Sequence, residues 1–96
     1  MTNPEKPFTL KFTPAALREL ERLDPNILRK VFSDIEKLKV NPRPHGVEKL
    51  ETNEKLYRVR VGPGQNYRAI YQIRDELLLV LVVKVGNRKE VYRGVK

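Results

Sequence analysis

Residues 8–12, FTLKF, alternate apolar and polar positions with period two and predict a short strand; Thr13-Pro14 then supplies a helix-capping residue and a proline for the first helical position. In PAALRELERL, residues 14–23, Ala16, Leu20 and Leu23 share one stripe with Leu17 beside it, while Arg18, Glu19, Glu21 and Arg22 spread over the outer side. That pattern belongs to a helix packed on a core. Asp24-Pro25 repeats the cap-plus-proline signal, and Leu28, Val31, Ile35 and Leu38 form a second stripe that Asn41-Pro42 ends. The two helices therefore make a hairpin. The segment NPRPHGVEKLETNEK, 41–55, reads as a turn-rich connector, and His45 within it as a loop residue.

Three strands follow, at 56–62, 66–73 and 77–85, and their short links make them antiparallel neighbours. The last is apolar on both faces until Lys84, which points to an interior position. Gly86 breaks it, and NRKEVYRGVK, 87–96, forms a short helix or a tail. The prediction is one α+β domain over residues 1–96. It has a four-stranded sheet, antiparallel but mixed by the first strand, with an N-terminal helix hairpin on one face, in the order β-α-α-β-β-β.

The hairpin at 56–73 carries the most unusual pattern. With a turn over GPGQN, Val61 falls opposite Tyr67, Arg60 opposite Arg68 and Arg58 opposite Ile70. Tyr57, Val59, Val61, Tyr67, Ala69 and Tyr71 then share the face that the helices cover, and the arginines share the open one. Like charges directly opposite one another destabilise a sheet, by up to about 1 kcal/mol. Neither strand contains an Asp or Glu, so an external anion is the favoured counter-charge.

Charge strengthens that reading. The net charge is +8 on 96 residues; residues 58–96 hold nine lysines and arginines against three acids, and residues 1–57 hold eleven against nine. A basic sheet half suits a polyanion, most commonly a phosphate backbone, and each guanidinium offers a planar fork matched to phosphate oxygens. Tyr92, between Arg88 and Arg93, offers a ring for base stacking or, alternatively, an apolar plug at the end of the sheet. The absence of cysteine and the single histidine leave no disulfide, no thiolate nucleophile and few ligands for a metal; no metal or cofactor is expected. The first residues lack the apolar core of a signal peptide and the longest apolar run, 77–83, is too short for a membrane span, which places the chain in the cytoplasm.

The ordered set YRVRVG, NYRAIYQI and LLVLVVKVGNRKEVYR resembles the RelE branch of the RelE/ParE toxin superfamily over nearly the whole chain. The resemblance implies a toxin that enters the ribosomal A site and cleaves mRNA without metal, and that is held inactive by an acidic, RelB-like antitoxin docked partly beside the helix hairpin. It also implies site residues. Arg58 and Arg60 stand where the family often has lysines, Arg68 where its arginine holds the scissile phosphate, Arg88 at the arginine after VG, and Tyr92 at the tyrosine that stacks on the mRNA base. Lys84, Lys89 and Arg93 would grip ribosomal RNA phosphates. Arginine cannot serve as a general base as lysine can, so these cations would stabilise charge more than move protons. Two alternatives are a ParE-like inhibitor of DNA gyrase and a non-catalytic domain that binds RNA or an antitoxin.

Overall fold

The protein is described by a computed structural model over residues 7–50 and 55–89. The elements run β1 (Thr9–Phe12), α1 (Pro14–Glu21), α2 (Pro25–Glu36), β2 (Glu48–Lys49), β3 (Leu56–Val61), β4 (Tyr67–Arg74) and β5 (Leu79–Asn87). Both predicted caps form: Thr13 Oγ1 accepts from the Ala16 N–H at 3.1 Å and Asp24 Oδ1 from the Asn26 N–H at 3.0 Å, each with proline at the start of its helix.

The sheet has five strands where four were expected, in the order β1-β5-β4-β3-β2. The additional strand, β2, lies inside the turn-rich connector, and its two residues are too few to show any alternation. β1 runs parallel to β5 and every other neighbour is antiparallel, so β5 is interior and the sheet is mixed as predicted. The β3–β4 register is the one read from the sequence: Val61 faces Tyr67, Arg60 faces Arg68 and Arg58 faces Ile70.

Ala16 and Leu20 of α1, Val31 and Ile35 of α2, and Leu38 beyond it pack with Val61, Ala69, Tyr71, Val80, Val82 and Val85 of the sheet. On the opposite face Leu56 and Ile70 form a small second cluster with Leu50 and Val83. A bulge reconciles the two faces of β5. Tyr71 pairs with Val82 but Ile70 with Lys84, which leaves Val83 as the extra residue. Without it, strict alternation from Val80 and Val82 would send Lys84 into the core; the bulge resets the phase so that Val85 takes the inner position. Glu19 of α1 holds this irregularity, accepting from the Val85 N–H at 2.7 Å and from Lys84 Nζ at 3.0 Å.

The β3–β4 turn is fastened to α2. Gly62 has φ +84°, and a Cβ there would lie 2.9 Å from Val31 Cγ2 and 3.0 Å from Tyr67 Cδ1. Its N–H donates to Asp34 Oδ2 at 2.9 Å. Only glycine meets both demands. Gly62→Ala should therefore destabilise the full chain by about 1–3 kcal/mol, the range for a non-glycine residue held at an unfavourable backbone geometry; urea unfolding of both proteins measures it, and equal midpoints would contradict this account of the turn.

Candidate nucleic-acid interface

The two ends of the β3–β4 hairpin differ in how their charge is used. At the end away from the turn, Arg43 in the connector donates to both carboxylate oxygens of Asp75, at 2.8 and 3.1 Å, with its guanidinium 5.5 Å from the Tyr57 ring centre. Tyr57 stacks on Tyr71, whose hydroxyl donates to the Pro42 carbonyl at 2.7 Å. Asp75 and then Tyr57 hold the Arg43 guanidinium above its ordinary value, the Arg43 hydrogen bonds hold the Asp75 carboxyl below its own, and burial pushes the Tyr71 phenol up. This clamp fixes the connector to the sheet and leaves no net charge.

Two of the predicted site residues are also neutralised from within. Arg58 is ion-paired with Glu48 of β2, the residue directly across from it. The Lys84 ammonium is engaged by Glu19 of α1 at 3.0 Å. The preference for an external anion as counter-charge thus fails for Arg58: the strand that completes the sheet brings a carboxylate the hairpin strands lack.

Nearer the turn the picture reverses. Arg60 and Arg68 face one another across β3 and β4, and Arg68 Nη1 donates only to carbonyls, those of Gln65 at 2.9 Å and Tyr67 at 3.1 Å. Carbonyl acceptors aim the guanidinium but do not cancel its charge. The Arg88 N–H donates to the Asn66 carbonyl at 3.0 Å, which carries the end of β5 up to the same turn. Lys89 follows, its N–H on Asn87 Oδ1 at 3.0 Å. Among the described residues no carboxylate pairs with Arg60, Arg68 or Arg88. Tyr92 and Arg93 lie outside the described residues.

Beside this end, between α2, the connector and the edge of β3, opens a cleft of about 590 Å³. Lys30, Asp34 and Lys37 line it from the side of α2 and Val59 and Arg60 from β3, with His45 of the connector and Gln65 of the turn also in the lining. The sequence pattern alone did not single out Lys30 and Lys37. Their spacing of three and four residues around Asp34 was the available signal: Lys30 lies 3.0 Å and Lys37 3.4 Å from Asp34 Oδ1.

A family profile described as the ParE toxin of the type II toxin–antitoxin system parDE matches residues 10–92. Toxin RelG of Mycobacterium tuberculosis is 32% identical over an alignment of 95 residues, covering 91% of this chain and 98% of that protein. The chain belongs to the RelE/ParE family of type II toxin–antitoxin toxins. Among solved structures, the toxin–antitoxin complex RelBE2 of Mycobacterium tuberculosis aligns with a TM-score of 0.73 and 31% identity, over 85% of this chain and 99% of the matched one. The isolated RelE toxin of Escherichia coli aligns with a TM-score of 0.70 and 28% identity, over 91% and 93%. The described part of this RelE-type toxin contains no helix long and apolar enough to cross a membrane.

Asp34 ties the cleft to the stability of the toxin fold. Partial burial, the largest influence on it, pushes its carboxyl upward, but the Gly62 N–H together with Lys30 and Lys37 outweighs this and holds it below its ordinary value of 3.8. A carboxyl depressed in the folded state contributes stability that is complete above the unfolded value and is lost as pH falls through the folded one. The Asp75 carboxyl acts in the same window and direction. Stability should therefore decline on acidification below about pH 4, and Asp34→Asn should show a shallower decline than the wild type in urea unfolding measured across that range; identical acid limbs would exclude this role for Asp34.

Proposed function

We propose that this RelE-type toxin is a ribosome-dependent endoribonuclease that cleaves mRNA in the A site and so stops translation. The observation that carries the reading is that Arg60 and Arg68 face one another beside the turn to which the Arg88 backbone is also bonded, without a carboxylate among the described residues to pair any of the three. In the proposed reaction the 2′-oxygen attacks the adjacent phosphorus as its proton leaves, the bond from phosphorus to the 5′-oxygen breaks, and that oxygen gains a proton. The products are a 2′,3′-cyclic phosphate and a 5′-hydroxyl. Arg68 and Arg88 bind the phosphate and stabilise its growing negative charge, Arg60 supports them, and Tyr92 stacks on the base. Arg58, already paired with Glu48, is a partly neutralised neighbour, Lys84 is likewise paired with Glu19 and adds little net charge, and Lys89 and Arg93 serve contacts with ribosomal RNA.

None of these arginines is a practical base, so rate must come from charge stabilisation and from the geometry that the ribosome imposes on the mRNA. A cognate antitoxin, acidic and RelB-like, completes the system. Leu17 and Phe32, exposed on α1 and α2, provide the apolar contacts for its amphipathic helix.

Cleavage mapped by primer extension on programmed ribosomes tests the proposal. Arg68→Ala and Arg88→Ala should each lower the cleavage rate about 10²- to 10³-fold, the loss typical of removing one donor to a developing oxyanion, with cooperative unfolding retained. Full activity in both variants, or equal rates on naked RNA and on ribosomes, would contradict it. The match to a profile described as ParE favours a second reading, inhibition of DNA gyrase; toxin expression that leaves mRNA uncut but breaks DNA would establish that instead.

A further inference from the structure

Apart from Arg60, the residues of the cleft beside β3 have no part in the cleavage chemistry proposed above, yet the cleft opens at the same end of the sheet. β2 pairs with β3 only at Tyr57 and Arg58, so β3 beyond Arg58 has no neighbouring strand there among the described residues. Arg60 belongs at once to the open-face pair with Arg68 and to the cleft lining. From the side of α2 Asp34 draws Lys30 and Lys37 toward one point with a single carboxylate between them. Three cations and one anion leave the cleft positive, with the cations drawn from α2 and β3. From the rest of the open face positive charge has been withdrawn, by Glu48 from Arg58 and by Glu19 from Lys84. The unbalanced charge therefore runs from Arg68 through Arg60 and round the edge of the sheet into the cleft.

We propose that this cleft is a second phosphate subsite, in which Lys30 and Lys37 bind a phosphodiester of the same single RNA strand one or a few nucleotides from the phosphate held by Arg68. The inference rests on the open face being an RNA site. A peptide strand added to the β3 edge fits less well. The Leu50 N–H donates to the Leu56 carbonyl, so the even-numbered residues of β3 direct their backbone groups to this edge. The next such donor after Arg60, the Gly62 N–H, is already taken by Asp34. Only the backbone of Arg60 is left for a strand to pair with, and the rest of what remains open is cationic side chain, which suits phosphate.

The test is binding of a labelled 2′-O-methyl RNA oligonucleotide, which cannot be cleaved through its 2′-oxygen, to the full chain at several salt concentrations. Lys30→Ala with Lys37→Ala should weaken binding and reduce the slope of log K against log salt by about 0.7 for each phosphate that is no longer neutralised. The charge-matched pair Arg22→Ala with Arg29→Ala, exposed at the end of α1 and on α2 away from the cleft lining, should leave the slope unchanged. Asp34→Asn, which keeps a carbonyl acceptor for Gly62, should instead raise affinity several-fold. An unchanged slope in the lysine variant, the same change in the control pair, or no binding by the wild type would overturn the subsite, as would a polyglutamate peptide that bound equally well and depended equally on the two lysines. If the lysines control oligonucleotide binding but programmed ribosomes are not cut, the cleavage reading fails and the subsite stands. If ribosomes are cut normally and the slope is unchanged, the reverse holds.

Discussion

The β3–β4 register governs the electrostatics of this toxin. Once Val61 is opposite Tyr67, Arg60 must stand opposite Arg68, which puts two permanently charged side chains on neighbouring positions of one face. A slip of one residue would relieve the repulsion but would turn either Val61 of β3 or Ala69 and Tyr71 of β4 out of the core. The hydrophobic term wins because several buried side chains, each contributing about 1.5–3 kcal/mol, oppose a like-charge penalty of at most about 1 kcal/mol. Gly62, pressed against Val31 and bonded to Asp34, closes off the alternatives at the turn.

With that pair enforced, acids elsewhere in the fold decide where the net charge appears. Glu48 reaches Arg58 through sheet pairing and Glu19 reaches Lys84 through the bulge. Arg58 and Lys84 both stand across from Ile70, further from the turn than the Arg60–Arg68 pair, so the uncompensated charge gathers at the turn. A stripe of arginines read along one strand becomes, in three dimensions, a focus at one end. A polyanion would be drawn to that end and not spread along the whole hairpin.

Much of this was legible in the sequence, for local reasons. Caps at Thr13 and Asp24, period-two alternation around GPGQN and the doubly apolar last strand each report on neighbours within a few residues, and they were sufficient for the helices, the register and the interior position of β5. What the sequence hid depends on long-range placement. Glu48 sits in a two-residue strand with no period to detect, and its role appears only when that strand lies beside Arg58. Glu19 looked like outer-face polarity because the bulge at Val83 that brings the Val85 N–H to it has no signal in an unbroken apolar run. The cleft could not be seen either, since its walls come from α2, the connector and β3, which only the folded chain brings together.

The most direct test of the account is a double-mutant cycle on Arg60 and Arg68, each replaced by Gln, read out both as urea stability at low salt and as cleavage rate on programmed ribosomes. If the pair is repulsive in the free protein and cooperative on the phosphate, each single variant stabilises the fold but the second substitution adds little further, while cleavage falls in each single variant. Strict additivity in stability together with undiminished cleavage would show that the facing arginines are ordinary surface charges and would remove the basis for placing the RNA site at this end of the sheet.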